Sequence, residues 1–184
     1  MKVPTTEFKI KETAISGLLE IDISLIEDER GYFQEKFQKE KLVAAGFPES
    51  FNPVQQNISY NRDVGVIRGI HAEPWDKYIS VIKGRVFAAF VDLRKGERFG
   101  TIVTVEITPT KAVFLPEDVA NSYQTLEPDT YYSYLVNKHW SSDSKYRSIN
   151  VADPDLAIKW PVSLDKAIIS DKDRSNPMLK DLKP

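Results

Sequence analysis

Very few side chains in this sequence can do chemistry near neutral pH. Its 184 residues include two histidines, His71 and His139, and no cysteine. The missing cysteines exclude disulfides, thiolate nucleophiles and cysteine-built zinc sites. Histidine titrates where proton transfer at cellular pH needs it, and His71 is followed by Ala72-Glu73-Pro74 rather than by a second histidine. We therefore expect no metal site. A functional His71 would move protons, and the alternative is a structural histidine satisfied by one hydrogen bond.

Polar side chains accompany His71 on neighbouring predicted strands. Within 23 positions the sequence places five hydrogen-bonding or charged side chains: Gln55, Asn57, Arg68, His71 and Lys77. In a regular strand Arg68 and His71 would lie on opposite faces, but Gly69 between them permits a bulge, because it has no Cβ. A polar strand face is commonly the solvent side. The concentration of donors here favours a pocket at the mouth of a barrel instead.

The elements that must position these residues are mainly strands. Apolar and polar residues alternate at 19–25 and 103–108, which predicts half-buried strands. Lys83-Gly84 separates two strand patterns and predicts a tight hairpin. Residues 85–93 are apolar on both faces and predict a central strand covered on both sides. With a further strand at 131–136 and many short strands in all, the pattern predicts an all-β jelly roll, a barrel or sandwich with short peripheral helices.

Helical pattern is confined to two short segments. Residues 38–45 predict two turns that end at Gly46, and Ser170 is the expected N-cap of a short C-terminal helix. No low-complexity stretch or repeat divides the chain. We expect one domain spanning 1–184, with 1–18 as an N-terminal arm and 162–184 as a C-terminal helical extension.

Composition and charge set limits on partners and location. Lysine and arginine total 25 against 27 aspartates and glutamates, a net charge of −2, so no basic excess is available for nucleic-acid phosphates. The first 15 residues carry charges and no apolar core typical of a secretory signal. The apolar run at 86–91 is far shorter than the roughly 20 residues of a spanning helix. We expect a cytoplasmic protein that binds neither nucleic acid nor membrane.

Motifs spread along the chain resemble one enzyme family. Near the histidine stand Arg68-Gly69-Ile70-His71, preceded by Gln55-x-Asn57-x-Ser59 and followed by Lys77 and Val91-Asp92-Leu93-Arg94. Asp28-x-Arg30-Gly31-x-Phe33-x-Glu35 lies near the N-terminus, and Asp153-Pro154, Ile158-x-Trp160-Pro161 and Ser170-x-Lys172-Asp173 near the C-terminus. The motifs cover the chain from about residue 19 to 180. They occur along it in the same order as in the dTDP-4-dehydrorhamnose 3,5-epimerase family, which the sequence therefore resembles.

The resemblance implies a cupin-type jelly roll that works as a homodimer without metal or other cofactor. It implies inversion of C3 and C5 of dTDP-4-dehydro-6-deoxy-D-glucose, on the way to dTDP-L-rhamnose. By position, His71 matches the family's general base. Asp153 matches the carboxylate that holds the imidazole of this base. Tyr134 matches the tyrosine that returns a proton on the opposite face of the sugar, and Lys77 the lysine at the keto oxygen.

The resemblance also assigns residues to the nucleotide end of the substrate. Arg30 and Arg68 match contacts to the diphosphate and nucleotide, and Phe33 and Glu35 match residues that reach the thymine in a neighbouring subunit's site. Gln55 and Asn57 match polar residues of the same pocket. Several other interpretations stay open. Phe33 could be an ordinary core residue and Glu35 a surface residue. Tyr132 rather than Tyr134 could face inward, and Asp92 rather than Asp153 could be the partner of His71.

The sequence departs from the family pattern at Asn121. The stretch 118–123 stands where the family commonly has Gly-Phe-Ala-His-Gly-Phe, so Asn121 replaces a histidine that contacts the diphosphate region. An amide can still bind substrate by hydrogen bonding but carries no positive charge. The exact substrate therefore stays open. Alternatives are a 3- or 5-epimerase or ketoisomerase of a related dTDP-keto-sugar, and a non-catalytic jelly roll that binds a sugar nucleotide.

Overall fold

The structure is a computed structural model that describes residues 5–144 and 146–182. Its strands, in chain order, are β1 (Phe8–Glu12), β2 (Leu19–Ile23), β3 (Ile26–Asp28), β4 (Gly31–Phe33), β5 (Gln55–Asn61), β6 (Val66–Ala72), β7 (Lys77–Lys83), β8 (Val86–Asp92), β9 (Ile102–Ile107), β10 (Lys111–Leu115), β11 (Val119–Thr125), β12 (Thr130–Val136), β13 (Arg147–Ser148) and β14 (Ile168–Ile169). The helices are α1 (Lys39–Ala44), α2 (Asp171–Arg174) and a 3₁₀ turn at Leu179–Asp181.

Two sheets form the body of the molecule. Sheet I has the order β1-β2-β10-β7-β12-β5, and sheet II has the order β13-β6-β11-β8-β9 with β14 added beside β6. Neighbours within each sheet are antiparallel apart from the parallel pair β14–β6. From β5 to β8 the chain passes from one sheet to the other at every connection. This is the expected jelly roll.

The predicted hairpin at Lys83-Gly84 is wrong. Strand β7 pairs with β10 and β12 in sheet I, whereas β8 pairs with β11 and β9 in sheet II. Gly84 has a φ of +90°, and a Cβ there would lie 2.2 Å from Thr130 Oγ1. The glycine therefore serves a sharp crossover between sheets that passes close to β12.

The space between the sheets holds the main apolar core. Alternate residues of the central strands point into it, among them Ile79 and Val81 from sheet I and Ala88 and Phe90 from sheet II. The opposite face of sheet I is covered by α1 and by aromatic rings packed around Tyr78. The predicted central strand at 85–93 is confirmed as β8, which is buried on both faces.

The C-terminal segment covers the outer face of sheet II. Leu93 and Val91 on that face pack with residues of the 149–182 segment, including Leu156 and Ile149. Strand β14 binds the edge of β6, and α2 follows it directly, so the short helix lies against β6. The expected extension at 162–184 thus contains a strand as well as helical turns; residues 183 and 184 lie outside the described range.

Both helical predictions are confirmed. Gln38 caps α1 by accepting from the Lys41 amide at 2.7 Å, and Gly46 follows the helix with a φ of +102°. Ser170 caps α2 by accepting from the Asp173 amide at 3.1 Å. In the expected N-terminal arm, Phe8–Glu12 forms edge strand β1, and residues 1–4 lie outside the described range. No helix in the described parts of the chain is long and apolar enough to cross a membrane.

Candidate active site

A bulge at Gly69 brings Arg68 and His71 to the same side of β6. His71 is paired with Asn121 and Arg68 with Tyr123, so β6 has one residue more than β11 between these pairs. Gly69 has a φ of +124°, and a Cβ there would lie 2.6 Å from Ser122 Cβ. Only glycine fits this position without displacing β11. Both side chains consequently reach the space between the sheets, as the glycine in the motif suggested.

A cavity of about 500 Å³ opens where the apolar core between the sheets ends. Lys77 has the same strand parity as Ile79 and Val81, so it points to the interior, and the cavity takes the place of the next core layer. The chemically active residues on its walls are Arg68, His71, Glu73, Lys77, Asn121, Tyr134 and Asp173. A smaller cavity of about 290 Å³ adjoins it and shares His71, Glu73 and Tyr134.

His71 is held by a buried carboxylate. Its Nε2 lies 2.7 Å from Asp173 Oδ1, and the Asp173 side chain is 8% exposed. Helix α2 supplies this carboxylate, whose other oxygen accepts from the Gly69 amide at 3.4 Å. With Asp173 ionised, Nε2 carries the proton, and Nδ1 keeps the lone pair that a base requires. The hydrogen bond to Asp173 thereby fixes the orientation of the imidazole ring.

The prediction that Asp153 holds His71 is wrong. Asp153 Oδ2 accepts from the Leu179 amide at 2.5 Å and Oδ1 from the Asp155 amide at 2.9 Å. The buried carboxylate therefore satisfies backbone donors and ties the C-terminal 3₁₀ turn to the domain. Asp92, the alternative partner, is engaged with Arg94, whose Nε donates to it at 2.8 Å. Neither carboxylate lines the cavity.

Lys77 forms the floor of the cavity. Its ammonium is in an ion pair with Glu73 and donates to Asn121 Oδ1 at 3.1 Å. It also lies 5.1 Å from the centre of the Tyr134 ring, within the range of a cation–π contact. Burial lowers the pKa of Lys77, and the attraction of Glu73 opposes that shift. The site thus contains a buried cation with one close counter-charge.

Both Tyr132 and Tyr134 face the cavity, which resolves the question of register. Tyr132 is 2% exposed and its hydroxyl accepts from Asn121 Nδ2 at 3.5 Å. Tyr134 is half-buried between the two cavities. Burial, reinforced by the charge of Glu73, raises the pKa of Tyr134 to about 12. Its phenol is therefore protonated at any physiological pH and is available as a proton donor.

Asn121 lies between Lys77 and Tyr132, at 9% exposure. The amide oxygen accepts from the lysine and the amide nitrogen faces the tyrosine hydroxyl. The residue therefore lines the main cavity as predicted, but both ends of its amide contact neighbouring side chains. Arg68 lines the same cavity with its Nε donating to Asn61 Oδ1 at 3.1 Å.

The predicted polar face of β5 lines the smaller cavity. Gln55 Nε2 donates to Asn57 Oδ1 at 2.9 Å, and Gln55 Oε1 accepts from the Trp140 amide at 3.0 Å. Trp75 and Tyr146 supply aromatic walls, with their rings edge to face at 5.7 Å. The prediction that Gln55 and Asn57 face a pocket agrees with this geometry.

The three residues predicted from the N-terminal motif to contact the nucleotide lie outside the two cavities described above. Arg30 and Phe33 are on or beside the β3–β4 hairpin, with the Arg30 side chain 84% exposed and paired with Asp28, and Phe33 63% exposed. Glu35 is partly buried and paired with Lys41. The other histidine, His139, is exposed and lines neither cavity.

Sequence reasoning assigned no role to Asp173 or Glu73. Asp173 stood in the quoted Ser170-x-Lys172-Asp173 motif, where an acid three residues after an N-cap is commonly a capping residue. Its contact with His71 spans 102 residues, so no local pattern reports it. Glu73 stood in the Ala72-Glu73-Pro74 stretch that follows His71 and contains no second histidine. An acid four residues before Lys77 was the available signal.

The arrangement is suited to moving a proton beside a carbonyl group. A base held by a carboxylate, a buried ammonium and a protonated phenol line one cavity. The ammonium can stabilise the negative charge of an enolate, which forms when the base removes the neighbouring proton. In the described residues, no three His, Asp or Glu side chains are grouped so that they could hold a metal ion.

Comparisons with known proteins agree with this chemistry. A family model described as dTDP-4-dehydrorhamnose 3,5-epimerase matches residues 12–181. The chain is 49% identical to "Protein RmlC homolog" of Streptococcus pyogenes serotype M6, over 96% of this chain and 90% of the relative. It is 34% identical to the dTDP-4-dehydrorhamnose 3,5-epimerase of Methanothermobacter thermautotrophicus, over 92% of this chain and 93% of the relative.

A solved structure shows the same fold. It is RmlC from Streptococcus suis in complex with dTDP-D-xylose, 47% identical, with a TM-score of 0.91 over 96% of this chain and 94% of that one. The match of the family model spans nearly the whole chain and includes every wall of the cavity described above. The chain belongs to the dTDP-4-dehydrorhamnose 3,5-epimerase family.

Proposed function

We propose that this chain inverts C3 and C5 of dTDP-4-dehydro-6-deoxy-D-glucose, as a dTDP-4-dehydrorhamnose 3,5-epimerase on the way to dTDP-L-rhamnose. Family membership and the dTDP-sugar bound by the Streptococcus suis relative support the substrate class. The observation that carries the proposal is the His71–Asp173 pair at 2.7 Å in the cavity that Lys77 and Tyr134 also line.

His71 acts as the general base in this reaction. A C–H bond beside the C4 ketone is acidified because its conjugate base is an enolate with the charge on oxygen. The imidazole removes this proton, and Asp173 stabilises the imidazolium that results. Positioned acid–base catalysis contributes about 10²–10⁴-fold.

Lys77 stabilises the enolate. A buried donor aimed at a developing oxyanion contributes about 3 kcal/mol. Glu73 and Asn121 hold the ammonium at two of its N–H groups, which leaves the third for the keto oxygen. In this proposal Asn121 acts by orienting Lys77, while Arg68 supplies positive charge for the diphosphate at the same cavity.

Tyr134 returns the proton. Inversion requires donation from the face opposite removal, since a single base would only exchange the proton and restore the original centre. A phenol that stays protonated, as the raised pKa of Tyr134 ensures, meets this requirement. Its contact with Lys77 through the ring holds it beside the enolate.

The active unit in this proposal is a homodimer. Tyr32 and Phe33 on the β3–β4 hairpin are more than half exposed, as is Ile58 on the outer face of edge strand β5. Exposed apolar groups and an unpaired strand edge favour association with a second copy. Arg30, Phe33 and Glu35 would then reach the nucleotide in the partner's site. Light scattering of the purified protein should give twice the mass of the chain, and a monomer at micromolar concentration would contradict this.

The cytoplasmic location expected from the sequence stays a prediction.

The reaction can be tested by incubating the protein with dTDP-4-dehydro-6-deoxy-D-glucose in heavy water and following deuterium by NMR. Deuterium at both C3 and C5, with the L-configured product, is the expected result. Deuterium and inversion at C3 alone would identify a single-centre epimerase. No incorporation at either carbon would contradict the proposed function for this substrate.

A further inference from the structure

Glu73 is a second carboxylate in the site, separate from the one that holds His71. It belongs to the connection between β6 and β7 and lines both cavities. Its side chain is 13% exposed and that of Lys77 is 6% exposed, and the two form an ion pair. Apart from this pair, Glu73 Oε2 has no hydrogen-bond donor among the described residues. Among the described residues, Lys77 is the only cation that forms an ion pair with Glu73.

The connection that carries Glu73 is fixed at its other end by Asp76. Asp76 Oδ1 accepts from the Glu117 amide at 2.9 Å, and its Oδ2 accepts from Asn137 Nδ2 at 2.9 Å. The Asp76 amide donates in return to Asn137 Oδ1 at 3.0 Å. Trp75, which belongs to the connection, is 5% exposed and its ring meets that of Tyr146 edge to face. These contacts anchor the four residues between β6 and Lys77, from which the Glu73 carboxylate reaches the lysine.

The ammonium of Lys77 needs this carboxylate because of what else surrounds it. Leu115 and Val136, its pairing partners on β10 and β12, are apolar. Asn121 on β11 supplies a neutral oxygen, and Tyr134 on β12 supplies a ring face. The other titratable or charged side chains of the cavity are Arg68, His71, Tyr123, Tyr132 and Asp173. Of these, only Asp173 is a carboxylate, and it is bound to His71.

A buried lysine without a counter-charge loses its proton readily. Desolvation disfavours the ammonium, whereas an opposite charge in contact favours it by about 1–3 pKa units. A neutral Lys77 amine would donate weakly to an enolate oxygen and carry no charge to stabilise it. Among the described residues, Glu73 supplies the one negative charge that opposes the effect of burial on the pKa of Lys77, whereas Asn121 and the Tyr134 ring are neutral.

We propose that Glu73 is a positioning residue that keeps the Lys77 ammonium charged and, together with Asn121, directs its remaining N–H into the cavity. The inference deepens the proposed function, on which its catalytic meaning rests, but the protonation of Lys77 can be measured without any substrate. In this proposal Glu73 supports the charge of Lys77 and does not itself transfer a proton.

The test is an NMR titration of Lys77 in the free protein labelled with ¹³Cε-lysine. The Lys77 signal is assigned by its loss in Lys77→Arg. In Glu73→Gln, which keeps size and shape, the inflection of this signal should move to lower pH by about 1–3 units. Glu117→Gln removes the carboxylate of an exposed pair with Lys138 and should leave the Lys77 inflection unchanged.

Glu73→Asp keeps the charge on a shorter side chain, so its inflection should lie between those of the wild type and Glu73→Gln. If Glu73→Gln does not fold, Glu73→Asp is sufficient for the test. A Lys77 inflection at lower pH than in the wild type then supports the proposal. An unchanged Lys77 inflection in either folded variant would overturn it. Because no substrate is present, failure of the proposed epimerase activity would not affect this result.

In the enzymatic reaction, Glu73→Gln should lower kcat most at alkaline pH, and its alkaline limb should shift in the same direction as the Lys77 inflection. The change should fall on kcat more than on KM, because the ammonium acts on the charge that develops in the reaction. A uniform loss of kcat at every pH, with no shift of the limb, would indicate a purely structural role and contradict the proposal.

Discussion

Replacing Asp173 by asparagine removes the charge that holds His71 while keeping the shape of the side chain. Asp173 is almost fully buried and accepts the Nε2 proton at 2.7 Å. A buried hydrogen bond to a charged group contributes about 1.5–3 kcal/mol. If this energy is lost as the imidazolium forms, kcat falls about 10- to 150-fold, since each 1.36 kcal/mol corresponds to a factor of ten. Misorientation of the imidazole would add to this loss, up to the whole contribution of a general base, about 10²–10⁴-fold.

Asp153→Asn is the matched control, because Asp153 is an equally buried aspartate of the same C-terminal segment. Its carboxylate accepts the Leu179 and Asp155 amides, so the expected effect is a loss of about 1–3 kcal/mol in the free energy of unfolding. Its kcat should stay within about twofold of the wild type. The two variants are compared by their initial rates of deuterium incorporation into the substrate. Thermal unfolding checks that each variant is folded. An equal or greater loss of kcat in folded Asp153→Asn, or full activity in Asp173→Asn, would refute the reasoning.

Two further changes separate the roles of neighbouring residues. Tyr134→Phe should retain deuterium exchange while slowing inversion at C5, because the base remains and the opposite donor is gone; NMR of the product measures both, and equal loss of the two would contradict the assigned role. Gly69→Ala should cost about 2–4 kcal/mol of unfolding free energy, since its Cβ would meet Ser122 at 2.6 Å on a backbone with positive φ. Thermal unfolding measures this, and Gly96→Ala, which has a positive φ and open space around it, should lose less. Equal losses at the two positions would show that contact with Ser122 is not the cause.

Much of the fold was predictable because strand patterns are local. The alternation at 19–25 and in 103–108 is realised in β2 and β9, and the inverted pattern of β5 reports a polar face turned inward. The crossover at Lys83-Gly84 was not predictable in the same way. A glycine turn between two strands indicates a change of direction, but whether the strands then pair or separate into two sheets depends on the rest of the barrel.

The site was predictable where a side chain's strand and parity decide its position. The alternation of side chains along β7 and β12 turns Lys77 and Tyr134 toward the cavity. His71 joins Arg68 there because Gly69 permits the bulge. The partner of His71 did not follow, since Asp153 and Asp173 are both buried acids of the C-terminal segment, the first in a turn and the second in α2. Their roles are decided by how that segment docks on sheet II, where β14 pairs with β6 and carries α2 to the histidine.

The central claim is that His71 removes the proton, and one measurement tests it directly. The rate of deuterium incorporation from heavy water into dTDP-4-dehydro-6-deoxy-D-glucose is compared for the wild type, His71→Ala and His139→Ala, with thermal unfolding confirming that each is folded. Wild type and His139→Ala should exchange at similar rates, because His139 is exposed and lines neither cavity, while His71→Ala should lose at least about 10²-fold. Exchange by folded His71→Ala at the wild-type rate would contradict the account.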